Sequence, residues 1–120
     1  MIQNIVSLLV ELRVLFKTAR TNMKRMGECA GVDIEPDSQT ELADSTEVLN
    51  GVLCALVPGA GGVDALVALT LSDAVRVDVE KLWSQWGGRA GNHSSVCPLM
   101  LKAETGSLSG VAAHFDFSWE

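Results

Sequence analysis

Apolar side chains recur at intervals of three and four residues through the first thirty positions of the chain, which is the period of an α-helix. These positions are Ile5, Leu8, Leu9, Leu12, Leu15, Phe16, Ala19, Met23 and Met26. Four basic residues follow the same period and form a second stripe, Arg13, Lys17, Arg20 and Lys24. The pattern predicts one long amphipathic helix over residues 3–30, with Gly31 suited to the left-handed position after its end.

The segment that follows predicts an extended connector and a second helix. The Glu-Pro pair at 35–36 disfavours helix at its first residue. Asp37 or Ser38 can cap a helix over residues 38–49, with Glu41 three residues after Ser38 as in a capping box.

Two short runs rich in valine and leucine, residues 52–57 and 63–71, predict buried strands. The further elements are a third helix capped by Ser72 or Asp73 and a third strand over residues 96–102. Helix, helix, strand, strand, helix and strand in this order indicate an α+β fold. We expect a ferredoxin-like two-layer plait, a small antiparallel sheet with helices on one face, and this plait needs one more strand.

The domain is expected to span residues 1–103, followed by a tail over 104–120. In the tail, Phe115, Phe117 and Trp119 alternate with polar residues. That alternation is a weak strand signal, so the tail is interpreted as mobile or as an edge strand.

Composition narrows the classes of function. The chain has 120 residues, of which 48% are hydrophobic, and a net charge of −6, so one domain that does not bind nucleic acid is expected. No stretch is apolar enough to span a membrane and no leader is recognisable, which favours a cytoplasmic protein. Charge is uneven, because residues 1–28 carry five basic and two acidic side chains whereas residues 32–50 carry six acidic ones and no basic one. The basic stripe is most often a solvent-exposed helix face; the alternative is contact with a phosphate or with another lobe.

The sequence Pro-Gly-Ala-Gly-Gly at residues 58–62 separates the two predicted strands. Successive amides without side chains can form a concave anion site, whereas a plain hairpin needs fewer glycines. The loop is not a Walker loop, since no Gly-Lys-Ser/Thr follows, and it is not a dinucleotide fingerprint, since Asp64 stands where the last glycine would be. A phosphate site and a structural hairpin both remain open.

The stretches AGVDIEPDSQTELADST and GVLCALVPGAGGVDALVALTL together resemble the C-terminal lobe of phosphomevalonate kinases, members of the GHMP family of small-molecule kinases. The similarity covers about residues 26–71. It implies a ferredoxin-like plait and transfer of the γ-phosphate of ATP, with Mg²⁺, to 5-phosphomevalonate, giving 5-diphosphomevalonate in the mevalonate route to isoprenoids. It also implies that a glycine-rich motif, here Gly59, Ala60, Gly61 and Gly62, lies near the phosphates.

Several features depart from that family. The ATP-cradling motif Pro-x-x-x-Gly-Leu-x-Ser-Ser of the N-terminal lobe does not occur in these residues, and the catalytic lysine and acidic groups of that lobe are missing with it. Asp33 replaces a common proline, and Val63 replaces a common aromatic residue. We therefore expect the chain alone to be an inefficient kinase that needs an N-terminal lobe as partner, with an exposed apolar patch where that lobe docks.

The alternative is a non-catalytic ferredoxin-like module that binds a small anion or a partner chain. That module would be a closed, monodisperse domain that binds its ligand alone.

The remaining candidates have plain structural interpretations beside functional ones. Asp64 is either a pocket carboxylate or, as we favour, a residue at the strand start that bonds the loop amides. His93 and Cys97 do not predict a metal site, and no catalytic residue is assigned in this chain. Core positions are expected for Cys29, Cys54, Trp83 and Trp86.

Overall fold

The computed structural model describes residues 2–86 of the chain. Within them the elements are α1 (Ile2–Ala30), α2 (Asp37–Glu47), β1 (Val52–Leu56), β2 (Val67–Thr70) and α3 (Asp73–Gln85). The predicted order of helices and strands is confirmed over this range, and so is the α+β class. The predicted strand 96–102 and the tail 104–120 lie outside the described residues.

The helix ends test the capping predictions. The Ser72 side chain accepts a hydrogen bond from the Val75 amide at 3.2 Å, as expected for the cap of α3. The capping box predicted for α2 is wrong, since Pro36 is the cap residue and no side chain caps that helix. Instead, the Pro36 carbonyl accepts the amides of Gln39 and Thr40, both at 2.9 Å.

The two strands pair antiparallel, with Ala55 opposite Ala68 and Leu56 opposite Val67, and with an irregularity between Val52 and Cys54. The second strand was predicted to begin at Val63 but begins at Val67. Residues 63–66 belong to the intervening loop, where the Ala65 carbonyl accepts a hydrogen bond from the Gln39 side chain at 3.4 Å.

The core lies between the sheet, α2 and α3. Its buried members are Leu42, Val52, Val79, Trp83 and Trp86. The Trp83 indole donates to the Thr46 hydroxyl at 2.9 Å, so this large side chain is buried with its polar atom satisfied. The prediction that both tryptophans are core residues is confirmed.

Helix α1 packs against β1 and turns part of its basic stripe toward the protein. Arg20 is buried, whereas the outer face, defined here as Ile5, Leu8, Leu12 and Leu15, is exposed. Leu8 and Leu15 keep 63% and 64% of their surface in solvent. Among residues 2–86, no helix combines the length and the apolar character needed to cross a bilayer.

Candidate binding cleft beside the glycine-rich loop

The glycine-rich loop, residues 57–66, folds back onto the connector, residues 31–36. The Gly62 amide donates to the Ile34 carbonyl at 3.0 Å. Gly61 lies so close to Ile34 that a Cβ at this position would stand 2.5 Å from that carbonyl oxygen, and its φ is +85°. Only glycine meets both conditions, so one role of this loop is close packing against another backbone segment.

The backbone amides of the loop differ in whether they remain available as hydrogen-bond donors to a ligand. Those of Gly61 and Gly62 donate to the carbonyls of Pro58 and Ile34. Those of Gly59 and Ala60 form no hydrogen bond to another residue of the described range. An anion site on this loop, which stays a prediction, would therefore use Gly59 and Ala60 rather than the whole run of four residues.

A cleft of about 230 Å³ lies between this loop and α1. Its lining residues are Phe16, Ala19, Arg20, Met23, Ile34, Glu35, Leu56, Val57, Pro58 and Gly59. Most of the wall is apolar, and Arg20 and Glu35 supply its charged groups. A cleft of this character suits a small organic molecule that is bound by shape and by a few polar contacts.

Arg20 and Glu35 form a buried, two-pronged ion pair. The guanidinium Nε lies 2.5 Å from Glu35 Oε1, and Nη2 lies 3.2 Å from Oε2. The two side chains are only 8% and 4% exposed. This parallel geometry is the strong form of an arginine–carboxylate contact.

The remaining guanidinium contacts reach α2. Nη1 lies 2.7 Å from Asp44 Oδ1 and 3.3 Å from Glu47 Oε2, and Nη2 also donates to the Thr40 carbonyl at 3.2 Å. Burial disfavours the charged guanidinium, but the hydrogen bonds to Glu35 and Asp44 outweigh that effect and raise the pKa of Arg20 above its ordinary value. Arg20 is thus a permanent cation whose three nitrogens already have partners.

The interpretation of the basic stripe as a solvent-exposed face is therefore wrong for Arg20. Lys24 also points toward the connector, where its Nζ donates to the Glu35 carbonyl at 2.7 Å and to the Thr40 hydroxyl at 2.8 Å. Arg13 donates to the Glu47 carbonyl at 2.6 Å, and Lys17 is exposed. The structural reason is charge complementarity, since these cations meet the acidic segment that follows them in the chain.

Sequence reasoning did not identify Glu35, Asp44 and Glu47 as partners of Arg20. The signal was present, because a basic helix stripe and an all-acidic stretch of residues 32–50 are neighbours in the chain. The turn at the connector, which brings these two segments together, could not be predicted from the sequence.

The other candidates lie apart from these contacts. Asp64 is exposed and precedes β2 by three residues, so it is not at the strand start. In the part of the chain that the structure describes, no three histidine, cysteine or acidic side chains converge as metal ligands. We derive no catalytic step through a metal at this cleft.

The two cysteines of the described range have different environments. Cys54 is buried in β1, as predicted, and burial raises the pKa of its thiol. Cys29 is exposed near the end of α1, so its predicted core position is wrong. The reason is that α1 turns a different side toward the protein.

Comparison with known proteins gives a consistent set of relatives. The chain is 53% identical over 70 residues to the peroxisomal phosphomevalonate kinase of Arabidopsis thaliana, covering 58% of this chain and 14% of that protein. It is 38% identical over 93 residues to the phosphomevalonate kinase ERG8 of Gibberella zeae, covering 77% of this chain and 20% of that protein. A third relative, the phosphomevalonate kinase of Aspergillus fumigatus, is 44% identical over 57 residues, covering 48% of this chain and 12% of that protein.

No family model and no solved structure matches the chain. The chain spans between about an eighth and a fifth of the length of these curated relatives. The similarity to phosphomevalonate kinases predicted from the two motif segments is confirmed by these comparisons.

Proposed function

We propose that this chain contributes a C-terminal-lobe portion of a phosphomevalonate kinase, with the ferredoxin-like plait of GHMP kinases. The complete enzyme would transfer the γ-phosphate of ATP to 5-phosphomevalonate and release 5-diphosphomevalonate. The residues described here would form one wall of the substrate cleft, whereas ATP and Mg²⁺ would be held mainly by an N-terminal lobe.

One observation carries the proposal. The two segments on which the family resemblance rests, the connector and the glycine-rich loop, meet through the hydrogen bond between the Gly62 amide and the Ile34 carbonyl. Their junction borders the cleft beside α1. Motif segments that are apart in sequence but together border one cleft support a shared role in binding.

The exposed outer face of α1 supports an N-terminal lobe as the partner. An exposed apolar patch is what the kinase hypothesis predicts, and four large aliphatic side chains on one side of a helix form such a patch. The chain spans 14% and 20% of the Arabidopsis and Gibberella relatives, so most of such an enzyme would lie in other residues that can cover this face.

Within the cleft, the chain would position its substrate and would not carry out the chemistry. The cleft wall is mostly apolar, and the amides of Gly59 and Ala60 would be available to an anionic oxygen. Phosphoryl transfer needs charge neutralisation around the moving phosphate. Arg20 is occupied by its carboxylate partners, so we assign that neutralisation mainly to the partner lobe. Asp64 remains a candidate pocket carboxylate on the exposed side of the loop.

A chimera tests this proposal. The 93-residue matched segment of the Gibberella zeae kinase is replaced by its counterpart from this chain, and the product is assayed for ATP-dependent phosphorylation of 5-phosphomevalonate by ADP release. We expect an active chimera and no measurable turnover by the 120-residue chain alone. Gly61→Val should abolish the activity of the chimera, and Val48→Gln, at an exposed position beyond α2, is the matched control.

Two results would contradict the proposal. A chimera that folds but lacks activity would show that the segment does not serve in a kinase of this type. Turnover by the chain alone at the rate of the intact relative would show that no partner lobe is needed. A monodisperse chain that binds phosphate by itself would favour the alternative, a non-catalytic anion-binding module.

The cytoplasmic location stays a prediction, because the name of the Arabidopsis relative places that protein in the peroxisome.

A further inference from the structure

We infer that Arg20 and Glu35 are positioning residues, whose buried ion pair sets the place of the glycine-rich loop by fixing the connector on which that loop rests. The structural part of this inference stands on the contacts described above. Its consequence for substrate binding rests on the proposed function.

The first step is the attachment of the connector to α1. Glu35 is held twice, by its carboxylate through Arg20 and by its backbone carbonyl through Lys24. The Thr40 hydroxyl donates to Glu35 Oε2 at 2.7 Å and accepts from Lys24, which closes the set of contacts. Because a two-pronged contact restrains rotation as well as distance, it fixes the peptide on either side of Glu35.

The second step leads from the connector to the loop. The peptide carbonyl immediately before Glu35, that of Ile34, accepts the Gly62 amide, and the backbone of Gly61 lies directly against it. On the far side of the loop, the Gln39 side chain donates to the Ala65 carbonyl at 3.4 Å. Gln39 belongs to α2, which Arg20 also holds, through Asp44 and Glu47. Both anchor points of the loop therefore lie on segments that the same guanidinium contacts.

The third step concerns the cleft. Gly59 lines the cleft and lies two residues from the anchored Gly61, so a shift of the connector moves this wall. Arg20 has carboxylate partners for its charge and is not available to bind a substrate anion directly. Its effect on a ligand would be exerted through the loop, which is the meaning of a positioning residue.

Hydrogen exchange at the Gly62 amide in the 120-residue chain tests the positioning role. Glu35→Gln keeps the shape of the side chain but removes the charge, and Arg20→Lys keeps the charge but loses the two-pronged contact. We expect Gly62 exchange to be faster by about tenfold or more in each variant, since each loses the two-pronged charged contact that holds Glu35 and the connector. Exchange in the β1–β2 ladder away from Ala55, whose amide donates to Glu47, should be accelerated clearly less than exchange at Gly62, because the ladder is also held by the apolar core. Arg76→Gln, which removes a surface pair with Asp73, is the matched control.

Unchanged Gly62 exchange in a folded variant would overturn the inference, and so would equal acceleration at Gly62 and in the ladder, which indicates general loosening. If Glu35→Gln does not fold, Arg20→Lys decides by the same criteria.

The active chimera then tests the consequence for the substrate. Glu35→Gln should raise KM for 5-phosphomevalonate by about tenfold and KM for ATP by less than about twofold, since the loop borders the acceptor cleft. Equal changes in both would contradict that role. An inactive wild-type chimera would refute the proposed kinase function, while the exchange experiment still decides the positioning role.

Discussion

Helix α1 differs from most surface helices in which of its sides carries charged residues and which carries apolar ones. The side toward the protein carries Arg20, Arg13 and Lys24, which bond to the connector and α2. The outer face carries exposed leucines such as Leu8 and Leu15. A surface helix ordinarily buries its apolar stripe. Within residues 2–86, directed ionic contacts therefore contribute to the orientation of α1, beside half-buried apolar residues such as Leu9 and Phe16.

Ion pairs and buried apolar side chains contribute differently to the stability and geometry of a protein. A buried ion pair adds little net stability but specifies geometry, and losing one partner is costly. Burying a leucine stabilises by about 1.5–3 kcal/mol without specifying orientation. The ion pairs on the inner side of α1 thus set where the connector lies. The outer face exposes apolar surface that a partner can bury.

The largest effect is expected on the inner side. Arg20→Met should lower the free energy of unfolding by about 3–5 kcal/mol, because Glu35 and Glu47 lose their buried cationic partner. Urea denaturation followed by circular dichroism measures this change. Arg76→Met, in a longer contact to the exposed carboxylate of Asp73, should cost less than about 1 kcal/mol. Similar losses of unfolding free energy in both variants would mean that the contacts of Arg20 stabilise the protein no more than the Arg76–Asp73 pair does.

A smaller effect is expected where the inner side reaches the loop. Gly61→Ala should destabilise the protein by about 2–4 kcal/mol, since the added methyl meets the Ile34 backbone and φ is positive. Gly59→Ala should cost about 1–2 kcal/mol, because its φ is +63° but its surroundings are open. Equal costs in the same urea experiment would show that close packing against the connector does not matter.

The smallest effect on stability is expected on the outer face. The double change Leu8→Gln and Leu15→Gln should alter the free energy of unfolding by less than about 1 kcal/mol, because both side chains are already in solvent. It should instead convert a self-associating chain into a monomer in sedimentation velocity. Val48→Gln, at an exposed position outside α1, should leave association unchanged. A wild-type chain that is monomeric at all concentrations would argue against an unsatisfied docking face.

The elements were predictable because they depend on local pattern. The period of the apolar residues predicts α1 to within one residue at its start, and the valine-rich run predicts β1 to within one residue at its end. The second strand was less predictable, because residues 63–66 run directly into the valine- and leucine-rich stretch but belong to the loop. The side chain of Gln39, which donates to the Ala65 carbonyl, lies 26 residues away in the chain. No local pattern indicates such a contact.

The sequence by itself determined the helices, the first strand, the need for glycine between the strands and the similarity to phosphomevalonate kinases. These follow from periodicity and motif, which are properties of neighbouring residues. Tertiary structure alone decided which side of α1 faces the protein, which acidic residues pair with Arg20, and which glycine amides are already bonded. Each of these depends on contacts between segments distant in the chain, where the geometry of buried ion pairs specifies which side of a helix faces which segment.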